Sequence, residues 1–395
     1  MSQTDKRDMA ARTRLIHGSR QNAADGRCFV NPGLIRGSTV LHPSVEDRVK
    51  ASGEFLDQAL IYGIEGTPTH FALENMISSI EGGTRTQIVS TGLQAVTVAL
   101  MAYARRDGHL LVPDSVYGPS RSFCDALLVR FGIETTYYPP TERADDLAKR
   151  LRPETIALYI ESPGSHTFEM QDVPALAAVA RRFNVPVLMD NTWGIHFFQP
   201  FQHGVDVSIQ ALTKYVGGHS DILLGAITTN HEDHWKKIRT TAMLLGAYAS
   251  SDDCWLALRG ARTLAIRLDH QMRAGLEVAN WFAQRAEVAE VRHPALPGAP
   301  GHEIWKSQFT GAPSLFGVVF RSDIPEENIR KMLNSLSLFG IGVSWGGYES
   351  LALPSSGIRR SEDPGISGIS VRFHIGLEEI SDLIRDLEQA FRCLA

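Results

Sequence analysis

The run Val185-Pro186-Val187-Leu188-Met189 ends at Asp190, and further on the chain reads Ala211-Leu212-Thr213-Lys214-Tyr215. The first run is short, apolar, β-branched and bounded by turn residues, as expected of a buried strand in a parallel sheet. A second apolar run, residues 205–212, delivers Thr213 and Lys214 at its end. A carboxylate and an amine therefore stand at the ends of two sheet strands. Pyridoxal phosphate (PLP) requires this pair of groups. A lysine forms a Schiff base with its aldehyde, and an aspartate keeps the pyridine nitrogen charged so that the ring can accept electrons. Ordinary surface residues closing two strands would look the same, so the surroundings decide.

Outward from this stretch, short apolar runs alternate with longer amphipathic ones. Strands are expected at 87–89, 110–112, 134–138, 156–160, 185–189, 205–210 and 222–228. Helices are expected at 93–105, 120–130, 144–151 and 173–182. The alternation predicts an α/β fold with a mostly parallel seven-stranded sheet, whose ligands bind at the carboxyl ends of the strands. A long helical region follows at about 252–284. Residues 294–301 form a loop rich in turn residues. Strands near 315–320, 341–344 and 369–374, with helices near 325–336 and 377–393, predict a smaller C-terminal α+β domain. The expected division is an extended N-terminal arm at 1–60 with little periodicity, a ligand-binding domain at 61–260 and a C-terminal domain at 261–395.

Composition narrows the class. The chain has 395 residues, 43% hydrophobic and 21% charged, and a formal net charge of −5. That balance argues against a nucleic-acid or strongly membrane-attracted surface. Residues 1–14 are polar and charged, and no segment has the length and apolarity of a membrane span, so a cytoplasmic location is expected. Cys28, Cys124, Cys254 and Cys393 lie far apart, with no C-x-x-C pair, and read as free thiols. His231-Glu232-Asp233-His234 lacks metal-ligand spacing and reads as the acidic start of a solvated helix; no metal site is expected.

Three further stretches carry candidate chemistry. Ser90-Thr91-Gly92-Leu93-Gln94-Ala95 follows a strand and opens a helix, so its N–H groups could hold a phosphate, or Ser90 or Thr91 could simply cap the helix. Tyr117, in a loop after the next strand, could stack on a planar ring or be a half-buried loop tyrosine. Arg372, inside a strand-like run, could take a carboxylate in its fork or face solvent at a strand edge.

The ordered stretches resemble the Cys/Met-metabolism family of PLP enzymes and, within it, the cystathionine β-lyases. They run from Tyr62-Gly63-Ile64-Glu65-Gly66-Thr67-Pro68-Thr69 through Glu161-Ser162-Pro163-Gly164-Ser165, Asp190-Asn191-Thr192-Trp193 and Ser208-Ile209-Gln210-Ala211-Leu212-Thr213-Lys214-Tyr215. Beyond these come Gly218-His219-Ser220-Asp221, His293-Pro294-Ala295-Leu296-Pro297-Gly298, Ser344-Trp345-Gly346-Gly347-Tyr348-Glu349-Ser350-Leu351 and Arg372-Phe373-His374-Ile375-Gly376-Leu377-Glu378. The resemblance implies a fold-type-I PLP enzyme, a homotetramer whose active sites use two subunits, acting on a small amino-acid substrate. It implies that Lys214 is the Schiff-base lysine, that Asp190 holds the pyridine nitrogen and that Tyr117 stacks on the ring. Gly92, Leu93 and Thr213 would hold the phosphate, with Tyr62 reaching in from a neighbouring subunit. Arg372 would grip the substrate carboxylate beside Ser344 and Trp345.

Trp345 resembles β-lyases, whereas γ-acting relatives usually carry a leucine there. The implied reaction is β-elimination of a thiol from L-cystathionine or a related cysteine S-conjugate. The alternatives are a γ-acting relative or a non-catalytic protein that keeps the fold. Ile64 stands where the family commonly has an arginine that pairs with the phosphate across the subunit interface, so either cofactor affinity is weaker or another cation substitutes, with Arg36 as a candidate. Gly118 and Val343 replace an acid and a tyrosine near the substrate mouth.

Overall fold

A computed structural model describes residues 9–19, 27, 29–355, 360 and 368–394. Seven strands form the larger sheet: β1 (Arg85–Val89), β2 (His109–Pro113), β3 (Glu134–Tyr138), β4 (Thr155–Glu161), β5 (Val187–Asp190), β6 (Val207–Gln210) and β7 (Gly225–Thr229). Their spatial order is β1-β7-β6-β5-β4-β2-β3. Only β7 runs against the others, antiparallel to both β1 and β6. The remaining pairs, β2–β3, β2–β4, β4–β5 and β5–β6, are parallel. β2, β4, β6 and β7 are buried along their whole length, as expected of a sheet with helices on both faces.

The second sheet joins β8 (Val288–Arg292), β9 (Leu315–Phe320), β10 (Leu351–Pro354) and β11 (Ser370–His374) in the order β10-β11-β9-β8, all antiparallel. Phe282, Phe316, Phe320 and Phe373 are fully buried in the core beneath it. The fold is α/β, a mostly parallel seven-stranded sheet with a smaller C-terminal α+β unit.

The structure departs from the sequence expectations in a few places. The N-terminal arm is not wholly extended, since it contains helices Ala11–His17 and Val45–Gly53. The second helix is capped by Ser44, which accepts from Asp47 N, but it buries no residue and so has no apolar stripe to read. Helix Pro68–Glu81 has no counterpart among the expected helices. It is buried nearly all round, which erases amphipathic periodicity. The long helical region is two helices, Ser251–Arg262 and Leu264–Ala283, meeting at Thr263.

Residues 341–344 do not form the expected strand. Ser344 has φ 89° and Gly346 φ 86°, which turn the chain away from extended geometry, and β10 occupies the sheet position instead. A helix does begin at Glu232, with Glu232 and Asp233 in its first turn. Cys124, Cys254 and Cys393 are free thiols, and Cys28 lies outside the described residues. Among the described residues, no helix is long and apolar enough to cross a membrane.

Candidate active site

A cavity of about 250 Å³ lies at the carboxyl ends of β4, β5 and β6. Its lining includes Gly92, Leu93, Tyr117, Asp190, Thr213, Lys214, Ser344, Trp345 and Arg372. Nine of the ten residues singled out from sequence thus meet in one place. The tenth, Tyr62, does not line this cavity and is 49% exposed in its own chain.

Asp190 closes β5. Its Oδ1 accepts from Thr192 N at 3.0 Å and from Thr192 Oγ1 at 2.6 Å, and Thr192 Oγ1 in turn accepts from Ala211 N at 2.9 Å. Both bonds fall on Oδ1, which leaves Oδ2 for a ring N–H. Burial raises the Asp190 pKa, while the Thr192 bonds and the Lys214 charge oppose the rise.

Lys214 follows β6 at a turn in which its N–H donates to Ala211 O at 3.1 Å. Its Nζ lies 2.6 Å from Ser344 Oγ and 5.3 Å from the centroid of the Trp345 ring. Burial first, then the charge of Arg372, lowers its pKa to about 8, against the pull of Asp190. The neutral amine is thus a minor but accessible form near neutral pH and becomes the major one only above about pH 8.

Arg372 sits on β11, where Val371 and Phe373 point into the core. Its Nη2 donates to Ser344 O at 3.0 Å, and it makes no ion pair among the described residues. Burial lowers its pKa, yet the group stays charged. A half-buried guanidinium with no carboxylate partner among the described residues is suited to an anionic ligand.

The phosphate-like end is built differently. Helix Gly92–Met101 starts at the cavity, capped by Thr91, whose side chain accepts from Gln94 N at 2.9 Å. The cap reading of this stretch is therefore right, and it leaves the Gly92 and Leu93 N–H groups without intrahelical partners. A Cβ on Gly92 would sit 2.5 Å from Ala211 Cβ, so only glycine lets the helix end approach β6 this closely. The Thr213 hydroxyl is engaged with Leu224, donating to its carbonyl at 3.2 Å and accepting from its N–H at 3.0 Å. Within its own chain Arg36 lies outside the cavity, on the surface, where its Nε donates to Asp252 at 2.8 Å. Among the described lining residues, Lys214 and Arg372 are the cations.

Glu161, His166 and Trp193 also line the cavity, and the sequence reading gave none of them a role. Glu161 closes β4 just as Asp190 closes β5, and the two are register partners. An acid ending an apolar strand was the signal already used for Asp190. His166 and Trp193 carry no comparable signal. His166 is kept neutral, with its pKa lowered to about 4 by burial and then by Arg372.

A helix N-terminus, a carboxylate with one oxygen available and a buried amine surround one cavity, and this donor set fits PLP. Residues 12–392 match the Cys/Met metabolism PLP-dependent enzyme family. The chain belongs to that family. It is 40% identical to the cystathionine beta-lyase of Bordetella avium, over 99% of each chain. It is 36% identical to the L-alanine/L-glutamate racemase of Wolbachia pipientis wMel, over 93% of each. The crystal structure of metB from Corynebacterium glutamicum superposes with a TM-score of 0.91 at 25% identity, covering 99% of this chain and all of that one. The fold is thus that of fold-type-I PLP enzymes, PLP is the cofactor, and the protein is a PLP-dependent enzyme of the cystathionine β-lyase type.

Proposed function

We propose that this enzyme eliminates a thiol from Cβ of L-cystathionine or a related cysteine S-conjugate, releasing homocysteine (or the corresponding thiol) and, after one water hydrolyses the remaining unsaturated amine, pyruvate and ammonia. The observation that carries the reading is the placement of the Lys214 amine between Ser344 and Trp345, with the Arg372 guanidinium bonded to the carbonyl of the same Ser344.

Bound PLP supplies an electron sink for the pair left on Cα. Asp190 would hold the ring nitrogen, Tyr117 would stack on the ring, and the N–H groups of Gly92 and Leu93 would hold the phosphate, joined by the Thr213 hydroxyl if it turns from Leu224. Arg372 binds the substrate α-carboxylate in a fork and so orients the Cα–H bond towards Lys214. With its lowered pKa, the free Lys214 amine takes the Cα proton and returns it to the departing sulfur, serving as base and then acid. Ser344 and Trp345 hold that amine in place.

Tyr62 is outside the cavity of its own chain and exposed. A role in a cofactor site would place it in that of a neighbouring copy, in keeping with a homo-oligomer; the tetramer is proposed from the family resemblance alone. The proposed division into an arm, a PLP domain at 61–260 and a C-terminal domain rests on the two sheets.

The test is turnover of L-cystathionine by the protein supplied with PLP, with the keto acid identified. Pyruvate with homocysteine is expected. 2-Oxobutyrate with cysteine would overturn β-elimination in favour of a γ-acting enzyme. The racemase relative favours one second reading, in which Lys214 removes the Cα proton and the proton returns on the opposite face. D-alanine formed from L-alanine faster than any pyruvate from cystathionine would establish it.

A further inference from the structure

Glu161 is a buried carboxyl group in the cavity wall that the proposed mechanism does not use. Its Oε2 accepts from Tyr117 N at 2.8 Å and its Oε1 from Ser165 Oγ at 2.7 Å. The first bond reaches the loop after β2 and the second the loop after β4. These loops also meet directly. Ser165 N donates to Ser115 O at 2.9 Å, and a Cβ on Gly164 would collide with the Ser115 side chain. The backbone of Glu161 is fixed in turn, with its N–H donating to Gln171 Oε1 at 3.0 Å.

We propose that Glu161 is a positioning residue whose carboxyl group clasps the two loops beside the cofactor ring and so holds Tyr117 in its stacking place. The inference rests on the PLP reading of the cavity given above.

The environment suits a clasp better than a charged ligand. Glu161 has no ion pair among the described residues, and it faces Asp190 across the β4–β5 register. Burial, then the Asp190 charge, raises its pKa, so Asp190 is the member of the pair that carries the charge. A protonated carboxyl still engages both loops, and so does a glutamine, whose oxygen can accept from Tyr117 N while its amide donates to Ser165 Oγ. Alanine leaves the Tyr117 N–H without its acceptor.

The experiment compares wild type, Glu161→Gln and Glu161→Ala as holoenzymes. It measures the PLP dissociation constant, the visible band of bound PLP, and kcat and KM for L-cystathionine. Loss of one buried hydrogen bond to the loop predicts a PLP dissociation constant roughly tenfold higher in Glu161→Ala, with a shifted band. Glu161→Gln should restore both to near wild type. In a Tyr117→Ala background, Glu161→Ala should add little, because its effect passes through Tyr117.

A folded Glu161→Ala protein with unchanged PLP affinity and band overturns the proposal, as does Glu161→Gln behaving like alanine or full additivity with Tyr117→Ala. If Glu161→Ala does not fold, Glu161→Asp, one methylene too short to reach both loops, is held to the same outcomes. Wild-type protein that takes up no PLP would refute the cofactor reading itself, a result distinct from any difference among the variants.

Discussion

The floor and the rim of the cavity are built on opposite principles. At the floor, Asp190, Asn191, Ser208 and Gln210 sit on or beside the ends of β5 and β6, and Glu81 ties them from behind. The Glu81 carboxyl accepts from Ser208 Oγ and, at 2.8 Å, from Gln210 Nε2, while Gln210 Nε2 also donates to Asn191 O at 2.8 Å. At the rim, Val343 is 84% and Leu223 62% exposed. Groups that must keep one geometry for proton transfer are locked by strands and satisfied hydrogen bonds, where misplacement is costly. Residues that meet the variable part of a substrate sit on loops, where change costs little stability.

This contrast can be broken by experiment. Changing Lys214 to Ala at the floor should abolish the visible band of covalently held PLP and cut kcat by about 10²–10⁴-fold, the range for losing a general acid–base group. A variant that turns over normally would remove Lys214 from the mechanism. Arg372→Lys keeps the charge but loses the fork. KM for L-cystathionine should rise roughly 10–100-fold, matching about 1.5–3 kcal/mol for a charged hydrogen bond, with a smaller change in kcat.

Glu81 supplies a pH test of the floor. Burial raises its pKa from 4.5 to about 7. The folded state therefore keeps a proton that the unfolded chain releases. The stability from this group is fully present below pH 4.5 and is lost as pH rises towards about 7, with a slope of at most about 1.4 kcal/mol per pH unit. Urea midpoints across that window should fall less steeply in Glu81→Gln than in wild type. Equal slopes would show that Glu81 does not hold the proton.

The smallest effect belongs to the rim. Val343→Ala should change stability by no more than about 0.5 kcal/mol. It should alter the ratio of kcat/KM between cystathionine and a smaller S-alkyl cysteine by up to about tenfold. A large stability loss there would erase the distinction between rim and floor.

Much of the floor was legible in sequence because its parts are strand ends. Apolar runs closed by Asp190 and by Thr213-Lys214 announce both burial and the point where the chain leaves the sheet. Glu161 carried the same signal. The rim was less legible. Residues 341–344 look like a strand by composition, and only their positive-φ turn takes Ser344 to Lys214, 130 residues away in the chain. Helix Pro68–Glu81 escaped for the opposite reason, because burial on all sides removes the polar face that makes a helix visible.

The sequence by itself determined the seven strands, the α/β class and the residue types gathered at the cavity, because hydrophobic period and turn chemistry are local properties. Tertiary structure alone decided the strand order β1-β7-β6-β5-β4-β2-β3 and the reversal of β7. It also decided the bond of Arg372 to Ser344 O, the pairing of Arg36 with Asp252 and the exclusion of Tyr62 from its own cavity. These follow from which surfaces meet across long stretches of chain, and no local period encodes that.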